Sequence, residues 1–185
     1  LDNTTSDPIQ ISSILSELKK KKIEFVIMEA SSHGLKQNRL DGLMFDVGIF
    51  TNLSHDHLDY HKNMKSYLNS KMYLFKNLLN KNSKIITDED NKEFKTIKKI
   101  ARNRRIKILT IGTTSGTIKI LNNRYHESKQ IIKIFFNGKA ILLKSPLIGY
   151  FQIKNLLMAI LAAINCGVNK NKIFEKISEI KPVRG

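Results

Sequence analysis

The chain has 185 residues, 41% of them hydrophobic, which is enough to bury one sizeable core and excludes disorder along its whole length. The formal net charge is +16, but the lysines and arginines are scattered and lack the interleaved aromatic residues that stack nucleic-acid bases. We therefore expect no dedicated nucleic-acid partner, and a basic nucleic-acid-binding module is kept only as an alternative. The single cysteine, Cys166, is typical of a packed thiol in a reducing cytoplasm, and no apolar run reaches the roughly 20 residues of a transmembrane helix.

The first part of the chain alternates predicted helices and strands. Apolar residues at helical spacing predict a helix over residues 11–18, and the continuous apolar run at 25–28 predicts a buried strand that ends at Glu29. A second apolar run at 47–50 predicts another strand, which a histidine-rich loop separates from an amphipathic helix over 64–79. The alternation continues with a strand at 84–87, a helix at 89–101 and a strand at 106–111. This order predicts an α/β fold with a mostly parallel, doubly wound sheet flanked by helices.

The pattern changes after Gly112. Short strands are predicted at 117–121, 130–136 and 139–143, the last two joined by the Asn137-Gly138 turn signal. These strands predict a small antiparallel appendage. The chain then returns to helix at 151–165 and 170–180, with Gly167 as the stop for the first of them. Neither repeats nor a low-complexity linker divide the sequence, so we expect one domain.

Reactive side chains follow the first two predicted strands. Glu29 ends the first strand, and the loop at 54–61 follows the second, so oxygen and imidazole ligands from neighbouring strand ends could hold a divalent metal. The loop also resembles the His-x-His-x-Asp-His motif of paired-metal hydrolases, but Tyr60 separates Asp59 from His61 and breaks the match. A Ser/His hydrolase is not indicated either, because the Gly-x-Ser-x-Gly elbow is missing.

Lys71 lies in the middle of the apolar stripe of the helix predicted over 64–79. Its stem could pack while its ammonium group reaches water. Alternatively, burial or nearby cations could lower its pKa and leave a neutral amine that can react or be modified. Spacing alone does not decide between these two interpretations.

Several groups of residues occur in a fixed order along the chain. They are Asn3-Thr4-Thr5-Ser6-Asp7-Pro8, Met28-Glu29-Ala30-Ser31-Ser32-His33, Gln37-x-Arg39, Phe50-Thr51-Asn52-Leu53-Ser54-x-Asp56-His57-Leu58-Asp59-Tyr60-His61 and Lys71. Together they resemble the Mur ligases, and most closely their UDP-N-acetylmuramoyl-tripeptide synthetase (MurE) branch. The similarity continues through Leu147-Ile148-Gly149 to Lys181-Pro182-Val183 and so covers essentially the whole chain.

The resemblance implies an ATP-dependent amide ligation in peptidoglycan synthesis, the pathway of cell-wall biogenesis that serves cell shape and division. ATP would phosphorylate a carboxylate of UDP-N-acetylmuramoyl-L-alanyl-D-glutamate, and the amine of a diamino acid would then displace the phosphate. The resemblance also implies residue roles. These are substrate binding by Asn3, Thr4, Thr5, Ser31, Gln37 and Arg39, magnesium binding by Glu29, His57 and Lys71, ATP contact by Asn155, and catalysis by His57 and a Lys71 carbamylated by carbon dioxide.

The resemblance is to the central, ATP- and substrate-binding domain of the family, over residues 1–185. The phosphate loop Gly-x-x-Gly-Lys-Thr/Ser occurs nowhere in the sequence, so we expect the domain to be incomplete at its amino end. We also expect the amino-terminal UDP-binding domain and the carboxyl-terminal domain to be absent, and the chain alone to be inactive. Another Mur ligase or a folylpolyglutamate synthase-type ligase is the alternative within enzymes. Neither the amino acid added nor the oligomeric state is predicted.

Overall fold

A computed structural model describes residues 4–127 and 129–181. The predicted substrate residue Asn3 therefore lies outside the described residues. The chain divides into two compact units, one formed by Leu1–Asp46 and Leu53–Lys81 and the other by Val47–Asn52 and Asn82–Gly185.

The regular structure of the first unit is helical, except where the unit includes the ends of two strands. Its helices are α1 (Pro8–Lys20), α2 (Ser32–Lys36), α3 (Leu58–His61) and α4 (Met64–Asn77). Helix α1 begins where it does because the Asp7 carboxylate accepts from the backbone N–H groups of Ile9 and Gln10, and proline occupies the first helical position. The side chains of Ser31 and Asn63 cap α2 and α4 in the same way. The helices predicted over 11–18 and 64–79 are thereby confirmed.

The apolar run at 25–28 is not a strand, and that prediction is wrong. Residues 23–30 carry no regular structure, and Phe25, Val26 and Ile27 are 53%, 47% and 98% exposed. An apolar run becomes a buried strand only where a neighbouring strand completes its backbone hydrogen bonds. None of the strands in residues 4–127 and 129–181 pairs with this segment. Glu29 therefore does not lie at the end of a strand, and other contacts hold that residue.

The strands form one sheet in the order β1-β2-β3-β4-β5-β6. Their bounds are β1 (Phe45–Phe50), β2 (Leu79–Asp88), β3 (Lys107–Gly112), β4 (Ile118–His126), β5 (Lys129–Phe136) and β6 (Lys139–Ser145). Strands β2, β3 and β4 pair in parallel, and β4, β5 and β6 pair antiparallel. The predicted turn joins β5 to β6, with positive φ at Asn137 (50°) and Gly138 (77°). The predicted α/β class with its antiparallel appendage is confirmed.

The helices of the second unit are α5 (Phe94–Arg104), α6 (Tyr150–Asn165) and α7 (Lys170–Lys176), followed by a 3₁₀ turn (Ile177–Glu179). Helix α5 begins five residues later than predicted, because Asp88 accepts hydrogen bonds from the backbone of Asp90 and Asn91 and holds the intervening residues in a turn. Asp88 is also bound by Lys154 of α6, with 2.5 Å between Oδ2 and Nζ. None of the described helices is long and apolar enough to cross a membrane.

Strand β4 extends five residues beyond the predicted end at 121. Its polar second half lacks the alternation that signals a strand, but β5 provides a ladder partner for each residue, such as Ile131 for Arg124 and Lys129 for His126. The core of this unit lies between the sheet and α6. Its members include Ile111, Ile118, Ile132, Ile134, Ile153, Leu157 and Ile160.

Candidate active site

Thr5 fixes the backbone that carries Glu29 and Ser31. Its side chain is buried, and its hydroxyl donates to the Glu29 carbonyl oxygen at 3.0 Å and accepts from the Ser31 N–H at 2.9 Å. Gly34 packs directly against it, since a Cβ added at Gly34 would lie 2.7 Å from Thr5 Cγ2. Residues 29–31 are thus held by one threonine hydroxyl rather than by strand pairing.

A cavity of about 370 Å³ lies in the first unit, next to this threonine. Six of the residues singled out from the sequence line it: Thr4, Glu29, Ser31, Arg39, His57 and Lys71. Ser32, His33 and Tyr67 line it as well. The structure therefore brings together residues that lie up to 67 positions apart in the sequence, between Thr4 and Lys71.

Three other predicted residues do not line this cavity. Thr5 lies behind the backbone of Glu29 and Ser31, as described above. Gln37 is exposed, and its Nε2 donates to the Tyr60 hydroxyl at 2.9 Å. Asn155 is an exposed residue of α6 in the second unit. Their assignments to substrate and ATP stay predictions.

Arg39 is anchored by the chain's own backbone. Its Nη1 donates to the Thr5 carbonyl oxygen at 2.7 Å, and its N–H donates to the Gly34 carbonyl oxygen. A guanidinium group has five N–H donors, so Arg39 can keep this anchor and still bind oxygens of a ligand in the cavity. Its permanent positive charge favours an anionic ligand.

Lys71 reaches the cavity from α4. Lys71 is half-buried, and buried residues follow it on the same helix: Met72, Leu74 and Phe75. Its Nζ lies 5.0 Å from the centroid of the Tyr67 ring. The stem thus packs along the helix while the end group lies beside an aromatic ring at the cavity wall. This position permits both interpretations of Lys71, because an amine there is neither sealed in the core nor fully in water.

Five rings pack together beside the cavity: those of His33, His57, Tyr60, His61 and Tyr67, with neighbouring centroids 4.0–5.9 Å apart. His57 precedes α3 in the left-handed conformation, with φ of 55°, and its N–H is bound by the Asp56 carboxylate. The sequence marked this region as rich in histidine but gave no role to His33, His61 or Tyr67.

Two imidazoles of this ring cluster are biased toward the neutral form. Burial is the largest cause that lowers the pKa of His61 below 6.5, and the nearby charges of Lys36 and His33 lower it further. Burial also lowers the pKa of His33, and His57 adds to the shift. Tyr67 shifts in the opposite direction, because burial raises the pKa of its phenol above 10.0. At neutral pH the rings of His33, His61 and Tyr67 are therefore uncharged.

A magnesium site was predicted from Glu29, His57 and Lys71. Within residues 4–127 and 129–181, no three His, Cys, Asp or Glu side chains converge to hold a metal ion. The cavity contains the Glu29 carboxylate and the His57 imidazole, and carbamylation of Lys71 would add a third donor, which would be the second anionic one. This donor set suits Mg²⁺, which is bound through one or two carboxylates and keeps several water ligands.

The pattern for the Mur ligase middle domain matches residues 1–163. The chain therefore belongs to the Mur ligase middle domain family. A UDP-N-acetylmuramoyl-L-alanyl-D-glutamate--2,6-diaminopimelate ligase of Rickettsia conorii is 36% identical over 182 residues, which are 98% of this chain and 38% of that protein. The chain thus spans about 38% of the length of such relatives.

Solved structures agree with the sequence relatives. A structure with the name of the same diaminopimelate ligase superposes with a TM-score of 0.87 at 29% identity, covering 97% of this chain and 37% of that one. The apo form of L. casei FPGS superposes with a TM-score of 0.62 at 14% identity, covering 95% of this chain and 49% of that one. At that identity the second match shows the fold alone, so the fold is shared beyond one ligase and does not by itself select a substrate.

Proposed function

We propose that this chain is the central domain of an ATP-dependent ligase that adds a diamino acid to UDP-N-acetylmuramoyl-L-alanyl-D-glutamate during peptidoglycan synthesis. The observation that carries the proposal is one cavity that gathers Glu29, Arg39, His57 and Lys71 with hydroxyl groups of the chain. The diaminopimelate ligases that are 34–36% identical over nearly the whole chain support the same substrate. The proposal places this ligase in the cytoplasm.

The substrate is an anion, since it carries phosphates and carboxylates. Arg39 would bind these oxygens through donors that its contact with Thr5 leaves unused. Ser31 would help, because its oxygen already accepts from the Gly34 N–H at 3.1 Å and its hydroxyl hydrogen remains to be donated. Thr4, exposed at the cavity wall, adds a second hydroxyl. Thr5 would act indirectly, by keeping Ser31 in place.

Glu29 and His57 would hold magnesium with a carbamylated Lys71. Bound there, magnesium would offset the negative charge of the ATP and acyl-phosphate oxygens. Carbamylation requires the Lys71 ammonium to lose one proton; the neutral amine then forms an N–C bond to carbon dioxide and loses a second proton to solvent. A cation is thereby replaced by an anion. The role of Lys71 beside Glu29 and His57 then changes from repelling a metal ion to binding it.

The substrate half of the proposal is tested by calorimetric titration of UDP-N-acetylmuramoyl-L-alanyl-D-glutamate in the presence of magnesium chloride. We expect Arg39→Ala to weaken binding by about tenfold or more, because a hydrogen bond to a charged group contributes roughly 1.5–3 kcal/mol. Arg39→Lys should recover only part of the loss, since it keeps the charge but not the planar donors. Arg102→Ala is the matched control, because Arg102 is exposed on α5 in the other unit.

Circular dichroism on the same samples separates misfolding from loss of binding. A folded wild-type protein that does not bind the ligand would contradict the proposed substrate. Equal losses in Arg39→Ala and Arg102→Ala would show general attraction of the basic chain for anions instead of a site. A folate in place of the UDP compound tests the alternative ligase class, and it should bind no better to wild type than to Arg39→Ala.

The carbamate is tested separately by ¹³C NMR of protein equilibrated with ¹³C-labelled bicarbonate. We expect one carbamate signal that disappears in Lys71→Arg and remains in Lys76→Arg, since Lys76 is an exposed lysine at the end of the same helix. No signal in the folded protein at alkaline pH, where the amine is most available, would argue for a Lys71 that only packs and reaches water.

A further inference from the structure

Ser32 and His61 form a buried pair at the edge of the cavity. Ser32 lines the cavity but is only 5% exposed, and its Oγ lies 2.9 Å from Nε2 of His61. His61 is 1% exposed and stacks on Tyr67, with centroids 4.9 Å apart and ring planes at 17°. The imidazole is therefore held on both its face and its edge. Neither residue has a place among the substrate, metal or catalytic residues described above.

The second ring nitrogen of His61 determines the direction of this hydrogen bond. Nδ1 is buried and finds no hydrogen-bond partner within the described parts of the chain. A neutral imidazole has one N–H donor and one acceptor nitrogen. If Nε2 accepted from Ser32, the proton would lie on Nδ1, leaving a buried N–H donor unpaired, which is the rarer and costlier arrangement. The proton therefore belongs on Nε2, and His61 donates to Ser32.

We propose that Ser32 is a further ligand-binding residue, and that His61 is the positioning residue that turns its hydroxyl hydrogen toward the cavity. With its oxygen occupied by the His61 donor, the Ser32 hydroxyl has its own hydrogen left to give. The acceptor is an anionic oxygen, a carboxylate or a phosphate. Only the identity of this ligand rests on the proposed function; the direction of the Ser32–His61 bond does not.

The permanent positive charge of Arg39, which lines the same cavity, favours an anionic acceptor for Ser32. The oxygen of the preceding Ser31 likewise accepts from the chain, through the Gly34 N–H, and leaves its hydroxyl hydrogen to donate. Two adjacent serines thus have their oxygens bound by the protein and their hydrogens available. Donors arranged in advance around a site hold an oxyanion more strongly than donors that must first reorient.

The direction of the hydrogen bond is measured without any ligand. In protein labelled with ¹⁵N-histidine, a long-range ¹H–¹⁵N correlation spectrum above pH 7.5 distinguishes the two tautomers of each ring, and His61→Phe assigns the signals of His61. We expect the proton on Nε2. A proton on Nδ1 would overturn the proposal, because Ser32 would then donate to His61 and not into the cavity.

The ligand contact is measured by titrating UDP-N-acetylmuramoyl-L-alanyl-D-glutamate. We expect Ser32→Ala and His61→Phe each to weaken binding by about tenfold, and the double variant to be no weaker than either one, since both act through one hydrogen bond. His61→Gln should restore binding, because its amide can donate near the position of Nε2. Ser70→Ala is the matched control, as Ser70 is a buried serine of α4 whose hydroxyl donates to the Ser66 carbonyl oxygen and which does not line the cavity.

The outcomes separate this proposal from the proposed function. Unchanged affinity in Ser32→Ala, with tight binding by wild type, overturns the role of Ser32 and leaves the proposed substrate standing. A wild type that does not bind refutes the proposed substrate, and the His61 tautomer still decides whether Ser32 is a donor. UDP-N-acetylglucosamine, which has both phosphates and no carboxylate, identifies the acceptor: an effect of Ser32→Ala on this ligand assigns a phosphate, and an effect only on the dipeptide ligand assigns a carboxylate.

Discussion

Thr5→Val tests whether one hydroxyl group holds the backbone of the cavity wall. Valine has nearly the shape of threonine, so packing against Gly34 should be unchanged, but the Glu29 carbonyl and the Ser31 N–H both lose their partner. An unpaired buried polar group costs roughly 1–3 kcal/mol. Because both hydrogen bonds are only partly buried, we take the lower end for each and expect a loss of about 2 kcal/mol in the free energy of unfolding.

Thr5→Ser is the matched control for Thr5→Val. Serine keeps the hydroxyl and both hydrogen bonds but loses the methyl group that contacts Gly34, which costs about 1 kcal/mol. Urea unfolding and thermal unfolding, both followed by circular dichroism, compare the two variants with wild type. For a chain of this length the expected decreases in Tm are about 4–8 °C for valine and about half of that for serine. A valine variant as stable as wild type, or a serine variant less stable than valine, would refute the role of the hydroxyl.

Three further predictions concern contacts within each unit. Gly34→Ala should destabilise by about 1–2 kcal/mol in spite of the better helix propensity of alanine, because its Cβ would collide with Thr5; adding Thr5→Ser should relieve part of the loss in urea unfolding. Lys154→Met should lower the free energy of unfolding by about 2–3 kcal/mol, because it removes the ion-pair partner of the buried Asp88. The loss is smaller than for a fully buried pair, since Lys154 is 21% exposed. Adding Asp88→Asn should restore most of the lost stability. Burial alone would lower the pKa of Lys154, but Asp88 raises it above 10.5, so this stabilisation is present below pH 10.5 and lost as the pH rises through the pKa of the folded state. Burial lowers the pKa of His61 below 6.5, so on acidification the unfolded chain takes up a proton before the folded protein does. The contribution of His61 to stability should therefore be complete above pH 6.5 and fall as the pH drops toward the pKa of the folded state. In His61→Phe the decrease should be less steep. A pH profile of the unfolding midpoint that is the same in His61→Phe and wild type would contradict the last expectation.

The sequence predicts those parts of the fold in which a local pattern determines the result. The strand at 47–50 and the helix that carries Lys71 follow from apolar runs and periodicity, and the Asn137-Gly138 turn follows from its two residues alone. The strand at 25–28 could not be excluded in this way, because its burial depends on a neighbouring strand that a local pattern does not report. Residues of this kind need the tertiary structure before they can be placed.

The residues of the candidate site also differ in whether the sequence alone predicts them. Glu29, Arg39, His57 and Lys71 were predicted through motifs, and the structure gathers them at one cavity. The pair of Ser32 and His61 could not be predicted, because its members are 29 positions apart and depend on how α2 and α3 pack. Whether a hydroxyl binds a ligand or the backbone, as with Thr5, is likewise decided by which groups fold next to it.

The exposed segment at 23–28 affects how the protein behaves at high concentration. Its sequence, Ile-Glu-Phe-Val-Ile-Met, contains β-branched and aromatic residues, one charge and no proline, and most of its apolar side chains are exposed. Such a segment tends to pair with another chain. The net charge of +16 keeps copies of the chain apart by mutual repulsion, and salt screens that repulsion over distances of about 8–10 Å at physiological ionic strength. Self-association should therefore increase with added salt, and a lysine in place of Ile27, which is 98% exposed, should keep the protein dispersed.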